Sequence, residues 1–310
     1  MWFRINLFGN RKLKAYLQLI RAPNGITAVT NIVAAAAIVS GGQLTWQLLY
    51  LVVASMCFYY AGMALNDCLD FAEDAQERPF RPLPSGQISL VRAQKIVSVL
   101  FCIALVACYL FNPNNLTSLV LGVCLTLSIV LYNAVFKQGL LGAFTMGSCR
   151  LFNWLLGASF VTVTTEQFDL IFALLVASPI FFYITAVTFL SKQETHASNK
   201  DTLIMVELLL GLAYLPLVYL HWSVFQLTGW PSLLSWILLT VAALFLLQRF
   251  VLLTTNFTPK QIQLTIKWMI IAVIPFDAML VAMAGHYSIA LMLLVLLFPC
   301  RMLAQKLYMT

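Results

Sequence analysis

Charged side chains are scarce in this sequence: Asp, Glu, Lys and Arg make up 9% of its 310 residues, where a soluble domain carries about 25%. Water is therefore not its main solvent, and the soluble globular classes are excluded. Acidic residues number only 11 and histidines 3, so a site needing several of them must gather them in one place. The cysteines (Cys57, Cys68, Cys102, Cys108, Cys124, Cys149, Cys300) show no CxxC spacing, which argues against thiolate metal sites and dithiol redox chemistry and leaves them as small buried hydrophobes. No fixed-period repeat or low-complexity linker divides the chain, so one domain over residues 1–310 is expected. The basic start runs straight into the first apolar stretch without a short signal-type core, and the first helix is expected to be a retained anchor.

Hydrophobic residues make up 62% of the chain. Apolar runs fall at 27–45, 48–66, 94–112, 116–135, 139–163, 169–190, 202–221, 231–252, 266–285 and 288–304, each near the roughly 20 residues that cross a bilayer as a helix. This predicts an all-α integral membrane protein of nine or ten transmembrane helices, nine if Gly285, His286 and Tyr287 only interrupt the last span. Every Lys and Arg except Arg150 lies in a terminus or in alternate loops. Because short basic loops stay in the cytoplasm, both termini are expected there, which favours ten spans. The net charge of +7 reads as topology and attraction to anionic lipid rather than as nucleic-acid binding. A bacterial inner membrane is the expected location.

The stretch Asn66-Asp67-Cys68-Leu69-Asp70-Phe71-Ala72-Glu73-Asp74 lies where the second span leaves the membrane. At 100° per residue a helix would bring Asp70 and Asp74 within roughly 60° of Asp67, so the three carboxylates would share a face. Like charges at a membrane boundary are unfavourable unless a cation neutralises them. Mg²⁺ takes one or two carboxylates together with waters and phosphate oxygens, so the cluster points to a Mg²⁺-bridged phosphate or diphosphate, with Asn66 orienting the shell. A Pro- and Gly-rich loop follows, carrying Arg78 and Arg81. These arginines fit an anion held jointly by metal and guanidinium; the alternative is a solvated helix end whose aspartates simply pair with them.

At these residues the sequence resembles the UbiA superfamily of intramembrane prenyltransferases, whose first signature is NDxxDxxxD followed by RPxRPLPSGxIS. Asn66, Asp67, Asp70, Asp74, Arg78, Pro79, Arg81, Pro82, Leu83, Pro84, Ser85, Gly86, Ile88 and Ser89 match it. Arg21, Pro23 and Asn24 resemble the family's RPxN lead-in to the first helix, and Tyr132 with Lys137 its YxxxxK. The resemblance implies a UbiA-type bundle around a central cavity and Mg²⁺-dependent transfer of a prenyl group from its diphosphate to a small or aromatic acceptor. It implies that Asp67, Asp70 and Asp74 bind Mg²⁺, that Asn66 supports them, and that Lys137 and Arg78 neutralise the leaving diphosphate.

After the sixth span the family has a second acidic motif, DxxxD, but this chain has Ser191-Lys192-Gln193-Glu194-Thr195-His196. Aligned on Glu194, the two aspartates become Lys192 and His196. Lys192 is then expected to replace the second metal as a direct diphosphate ligand, with His196 a pH-sensitive partner one helical turn away. This replacement resembles the EboC-like branch of the superfamily. Arg150 and Asn153, three apart in the fifth span, are candidates for the donor or acceptor cavity, because an arginine in lipid must face the bundle interior; a structural pairing of Arg150 with Asp277 is the competing account. His221 and His286 have no metal-ligand spacing, and the tryptophans fit an interfacial belt.

Two other functions compete. A non-catalytic relative that binds or moves an isoprenoid or aromatic precursor would keep the first motif and tolerate loss of the second. A phospholipid-headgroup transferase would carry DGxxAR leading into GxxxDxxxD, and neither string is present.

Overall fold

The computed structural model describes residues 11–164, 167–194 and 200–307. Apolar runs leave the backbone no water to bond, so each closes its hydrogen bonds internally as a helix. The helices are α1 (Arg11–Leu19), α2 (Gly25–Val39), α3 (Leu48–Leu69), α4 (Phe71–Glu77), α5 (Leu90–Phe111), α6 (Thr117–Ala134) and α7 (Gly139–Ala158). They continue with α8 (Leu170–Ser191), α9 (Thr202–Tyr219), α10 (Gly229–Thr255), α11 (Pro259–Ile271), α12 (Val273–Met283), α13 (Tyr287–Val295) and α14 (Leu297–Leu307). Two starts are capped by side chains: Asp169 accepts from the Phe172 N–H, and Thr258 accepts from the Gln261 N–H with Pro259 in the first turn.

The expected nine or ten spans are corrected to eight. Among the described residues eight helices are long and apolar enough to cross a membrane: Ala22–Val39, Leu48–Leu69, Leu90–Phe111, Thr117–Ala134, Leu170–Ser191, Thr202–Val224, Gly229–Thr255 and Pro259–Met283. The protein is thus an integral multi-pass membrane protein. The two expected spans that drop out do so for different reasons. Helix α7 carries Arg150, Asn153 and four glycines, polar and small groups that serve packing against α2, α6 and α8 and dilute its hydropathy. The last run, Tyr287–Leu303, is a shorter apolar helix, tightened at Leu296 between α13 and α14, where the Leu296 N–H bonds Leu293 O at 3.0 Å.

Helix α2 is the central post. It packs against α3, α7, α8 and α12, and Ala34, Ala35, Ala36 and Ala37 are all buried. In lipid, where apolar side chains gain little from leaving solvent, small residues allow helices the close approach that holds them. The α2–α7 contact is the sharpest instance: a Cβ added at Gly157 would sit 2.8 Å from the Ile32 backbone. By contrast α10 lies on the periphery, with Leu233, Ile237, Val241, Leu244 and Leu247 exposed.

Gly157→Leu forces α2 and α7 apart and should cost about 2 kcal/mol, seen as a Tm several degrees lower in detergent; an unchanged Tm would refute the close packing.

Candidate active site

The first acidic motif spans the junction of α3 and α4. Asp70 closes α3, yet the backbone bonds Asp70 N–H to Asn66 O (2.9 Å) and Asp74 N–H to Asp70 O (2.8 Å) run through the junction. Helical phase is therefore kept, but the three carboxylates do not act as one group. Asp67 and Asp74 are buried and share Arg81, whose Nη1 lies 2.5 Å from Asp74 Oδ2 and 3.7 Å from Asp67 Oδ1. Arg78 approaches Asp74 at 3.8 Å, and Arg21 approaches Asp67 at 3.5 Å. Asp70 turns away from this pair, accepting from Asn66 Nδ2 and from Lys137 Nζ.

The loop that delivers Arg78 and Arg81 is pinned rather than loose. Its Leu83 and Ile88 are buried in a small apolar cluster with Ala15, Leu19, Ala93 and Val97, and the Ile88 N–H bonds Pro82 O at 3.1 Å. Gly86 supplies the positive φ, +75°, that closes the turn. Arg21 also has a left-handed backbone, φ 47°, a conformation that costs energy in a residue with a Cβ. It directly precedes the short 3₁₀ turn Ala22–Asn24 that leads into α2, and this strained corner carries the arginine that faces Asp67.

The second loop meets the first through Lys137. Lys192, just past α8, donates from Nζ to the Lys137 carbonyl and stands 5.8 Å over the Tyr132 ring. Burial, reinforced by the neighbouring Lys137 charge, lowers the Lys192 pKa, and Glu194 opposes that shift. The Glu194 carbonyl accepts from Gln263 Nε2 at 3.3 Å. His196 lies outside the described residues, as does its pairing with Lys192.

Deeper in the bundle, Arg150 donates from Nη1 to Asn31 Oδ1 (3.0 Å) and from Nη2 to Thr27 Oγ1 (2.9 Å), with its guanidinium carbon 5.6 Å over the Tyr59 ring. Asn153, on the same face of α7, spends its amide on the helix interface: Oδ1 accepts from Ser55 at 2.6 Å and Nδ2 donates to Ala28 O at 3.0 Å. Asn24 contributes its carbonyl, which accepts from Thr27 Oγ1 at 2.7 Å. An apolar groove of about 560 Å³ lies elsewhere, between the far ends of α3 and α5, lined by Trp46, Tyr50, Val53, Ile103 and Val106 among others.

Among the described residues no group of three His, Cys, Asp or Glu side chains stands ready to hold a metal ion. The donor set nevertheless fits Mg²⁺. That ion needs only one or two carboxylates when a phosphate supplies further oxygens, and the buried Asp67 and Asp74 converge on one point that Arg81 now neutralises. Arg21, Arg78 and Arg81 supply the donors at this point, and Lys137 stands on the neighbouring Asp70.

Residues 28–271 match the model of the UbiA prenyltransferase family. This chain belongs to that family. The UbiA chain is 38% identical over 104 residues to digeranylgeranylglyceryl phosphate synthase of Methanocaldococcus jannaschii, a match covering 33% of this chain and 36% of that protein. It is 38% identical over 127 residues to the Methanococcus aeolicus protein of the same name, covering 40% and 43%. Both matches span less than half of those relatives' length. Two solved structures share the fold: a digeranylgeranylglyceryl phosphate synthase (TM-score 0.66, 21% identity, 90% of this chain and 100% of that one), and a UbiA homolog from Archaeoglobus fulgidus bound to GPP and Mg²⁺ (TM-score 0.61, 13% identity, 88% and 99%).

Three residues of this UbiA bundle escaped the sequence-based site. Arg21 was visible only as part of a lead-in pattern, Tyr59 was one aromatic among many, and Asn31 carried no spacing signal. Each is recruited by packing.

The lowered Lys192 pKa gives a pH test. Pyrophosphate binding with Mg²⁺ should weaken as pH rises and Lys192 loses its proton, earlier than an ordinary lysine would. Lys192→Arg, whose guanidinium stays charged, should hold binding to higher pH; coincident wild-type and Lys192→Arg profiles in calorimetry would remove Lys192 from the site.

Proposed function

We propose that this chain is a Mg²⁺-dependent intramembrane prenyltransferase that moves an isoprenoid group from its diphosphate to a small acceptor. The observation that carries this is the buried Asp67–Asp74 pair converging on Arg81, with Arg21 and Arg78 beside it and Lys137 held by the neighbouring Asp70. Asp67 and Asp74, with Asp70 after it exchanges Lys137, would hold Mg²⁺, and Asn66 would orient Asp70. When bound, the ion supplies Lewis-acid neutralisation of the departing diphosphate. Arg78, Arg81 and Lys137 add fixed positive charge where negative charge develops, and Lys192 takes the diphosphate oxygen that a second acidic motif would reach through metal.

The bond balance is simple. The allylic C–O bond breaks and its electron pair leaves with the diphosphate; an acceptor atom bonds the allylic carbon and gives up its proton. The apolar bundle below the acidic end keeps water from the allylic cation. Arg150 belongs to the acceptor side, Tyr132 lies under Lys192 at the diphosphate end, and Asn24 and Asn153 brace α2 against its neighbours.

The archaeal relatives are named as synthases of digeranylgeranylglyceryl phosphate, which makes a glyceryl phosphate a second acceptor class beside an aromatic one. The EboC-like assignment rests on the Lys192 loop alone, and the relatives do not favour it; being archaeal, they also lend a bacterial membrane no support. Both termini and the acidic end face the cytoplasm in this reading, following the basic residues Arg11 to Arg21 and Arg78 to Lys95 on the two sides of the first pair of spans, and residues 1–310 form one domain. The non-catalytic alternative draws on one fact: Asp67, Asp70 and Asp74 all have resident cationic partners and are neutralised without metal.

The deciding experiment incubates the purified protein in nanodiscs with labelled prenyl diphosphates, Mg²⁺, and a panel of hydroxybenzoates and glyceryl phosphates. Product should require Mg²⁺ and fall at least ~100-fold in Asp67→Ala and Asp70→Ala. Donor retained without product would establish the non-catalytic reading. In the same assay Lys192→Asp should weaken donor binding about tenfold, the loss of one charge-assisted hydrogen bond; unchanged binding would remove the lysine's role.

A further inference from the structure

Asp277 sits on α12, fully buried in the middle of the bundle. A carboxyl group at that depth is costly and is retained where it has work to do. It makes no ion pair with Arg150 among the described residues. Instead Thr30 Oγ1 lies 2.6 Å from Oδ2, and Asn31 Nδ2 lies 2.9 and 2.8 Å from Oδ1 and Oδ2. Asn31 stands between the acid and the arginine, donating to the first and accepting from the second at 3.0 Å.

We infer that Asp277 is a positioning residue: by facing the Asn31 amide with two oxygens, it forces that amide to present its carbonyl to Arg150 and so fixes the guanidinium over Tyr59. An amide has one accepting and one donating end. Because both carboxyl oxygens face Asn31, the NH₂ must point at Asp277 and the carbonyl at Arg150. A direct Asp–Arg pair would neutralise the charges at least cost but would spend the guanidinium on its own counter-ion. With an amide interposed, Asn31 and Thr27 each take one of five N–H donors and leave the other three to further partners. The assembly lies roughly 12 Å below Asp67, eight residues along α3 at 1.5 Å each. That depth suits the oxygen-bearing head of an acceptor rather than the diphosphate. The inference rests on the proposed transferase reading only for what Arg150 serves, not for how it is held.

The test has a spectroscopic and a kinetic arm, both on the full chain in nanodiscs. With ¹⁵N-arginine labelling, the Arg150 Nη signals, identified by their loss in Arg150→Lys, should be split by arrested rotation in the wild type. They should collapse in the near-isosteric Asp277→Asn, whose own amide lets Asn31 flip, and in Asn31→Ala. Mg²⁺-dependent binding of geranyl diphosphate should stay within about twofold in Asp277→Asn, showing the variant is folded, while KM for an acceptor from the panel rises about tenfold with kcat held within about twofold. Split Arg150 signals persisting in Asp277→Asn, or a loss confined to kcat, would overturn the proposal. Failure of the wild type to bind geranyl diphosphate would instead count against the transferase reading, leaving the Arg150 signals to decide the positioning role.

Discussion

Two carboxylates cannot stand side by side at the edge of hydrocarbon without a shared positive charge, and the acidic end of this bundle is organised around that requirement. Asp67 and Asp74 are both buried, so solvent does little to screen them, and leaving either unpaired would cost several kcal/mol. Arg81 answers the need from a loop whose Leu83 and Ile88 are anchored in their own apolar cluster. Arg21 answers it from a strained corner, and the strain is tolerated because it aims the side chain at Asp67. On the proposed reading, a metal and a diphosphate would displace these side-chain cations together, the displaced arginines moving onto the phosphate oxygens.

The same economy of charge recurs at mid-bundle. Helix α2 supports both levels: Arg21 precedes it at the rim, and Thr27, Thr30 and Asn31 lie along its buried length. Because α2 is packed by small residues against α3, α7, α8 and α12, a shift of α2 would disturb the rim and the Arg150 assembly at once. The helix that buries most thus also carries polar groups at two depths.

Composition and spacing were enough to establish a helical membrane protein, the Asn66 to Ser89 signature and the loss of the second acidic motif. These are local properties: hydropathy dictates that each run closes its own hydrogen bonds, and a motif contiguous along the chain is legible wherever the chain goes. The span count turned on finer composition and helix length: Arg150, Asn153 and four glycines dilute the hydropathy of α7, and the last apolar run forms only a shorter helix. Only the tertiary structure divided the aspartates into a pair and a single, brought Lys192 onto the Lys137 carbonyl and placed Asn31 between Asp277 and Arg150. Those contacts join residues far apart in sequence, and their geometry follows from which helices pack together and at what register, information that no periodicity in a single strand of sequence contains.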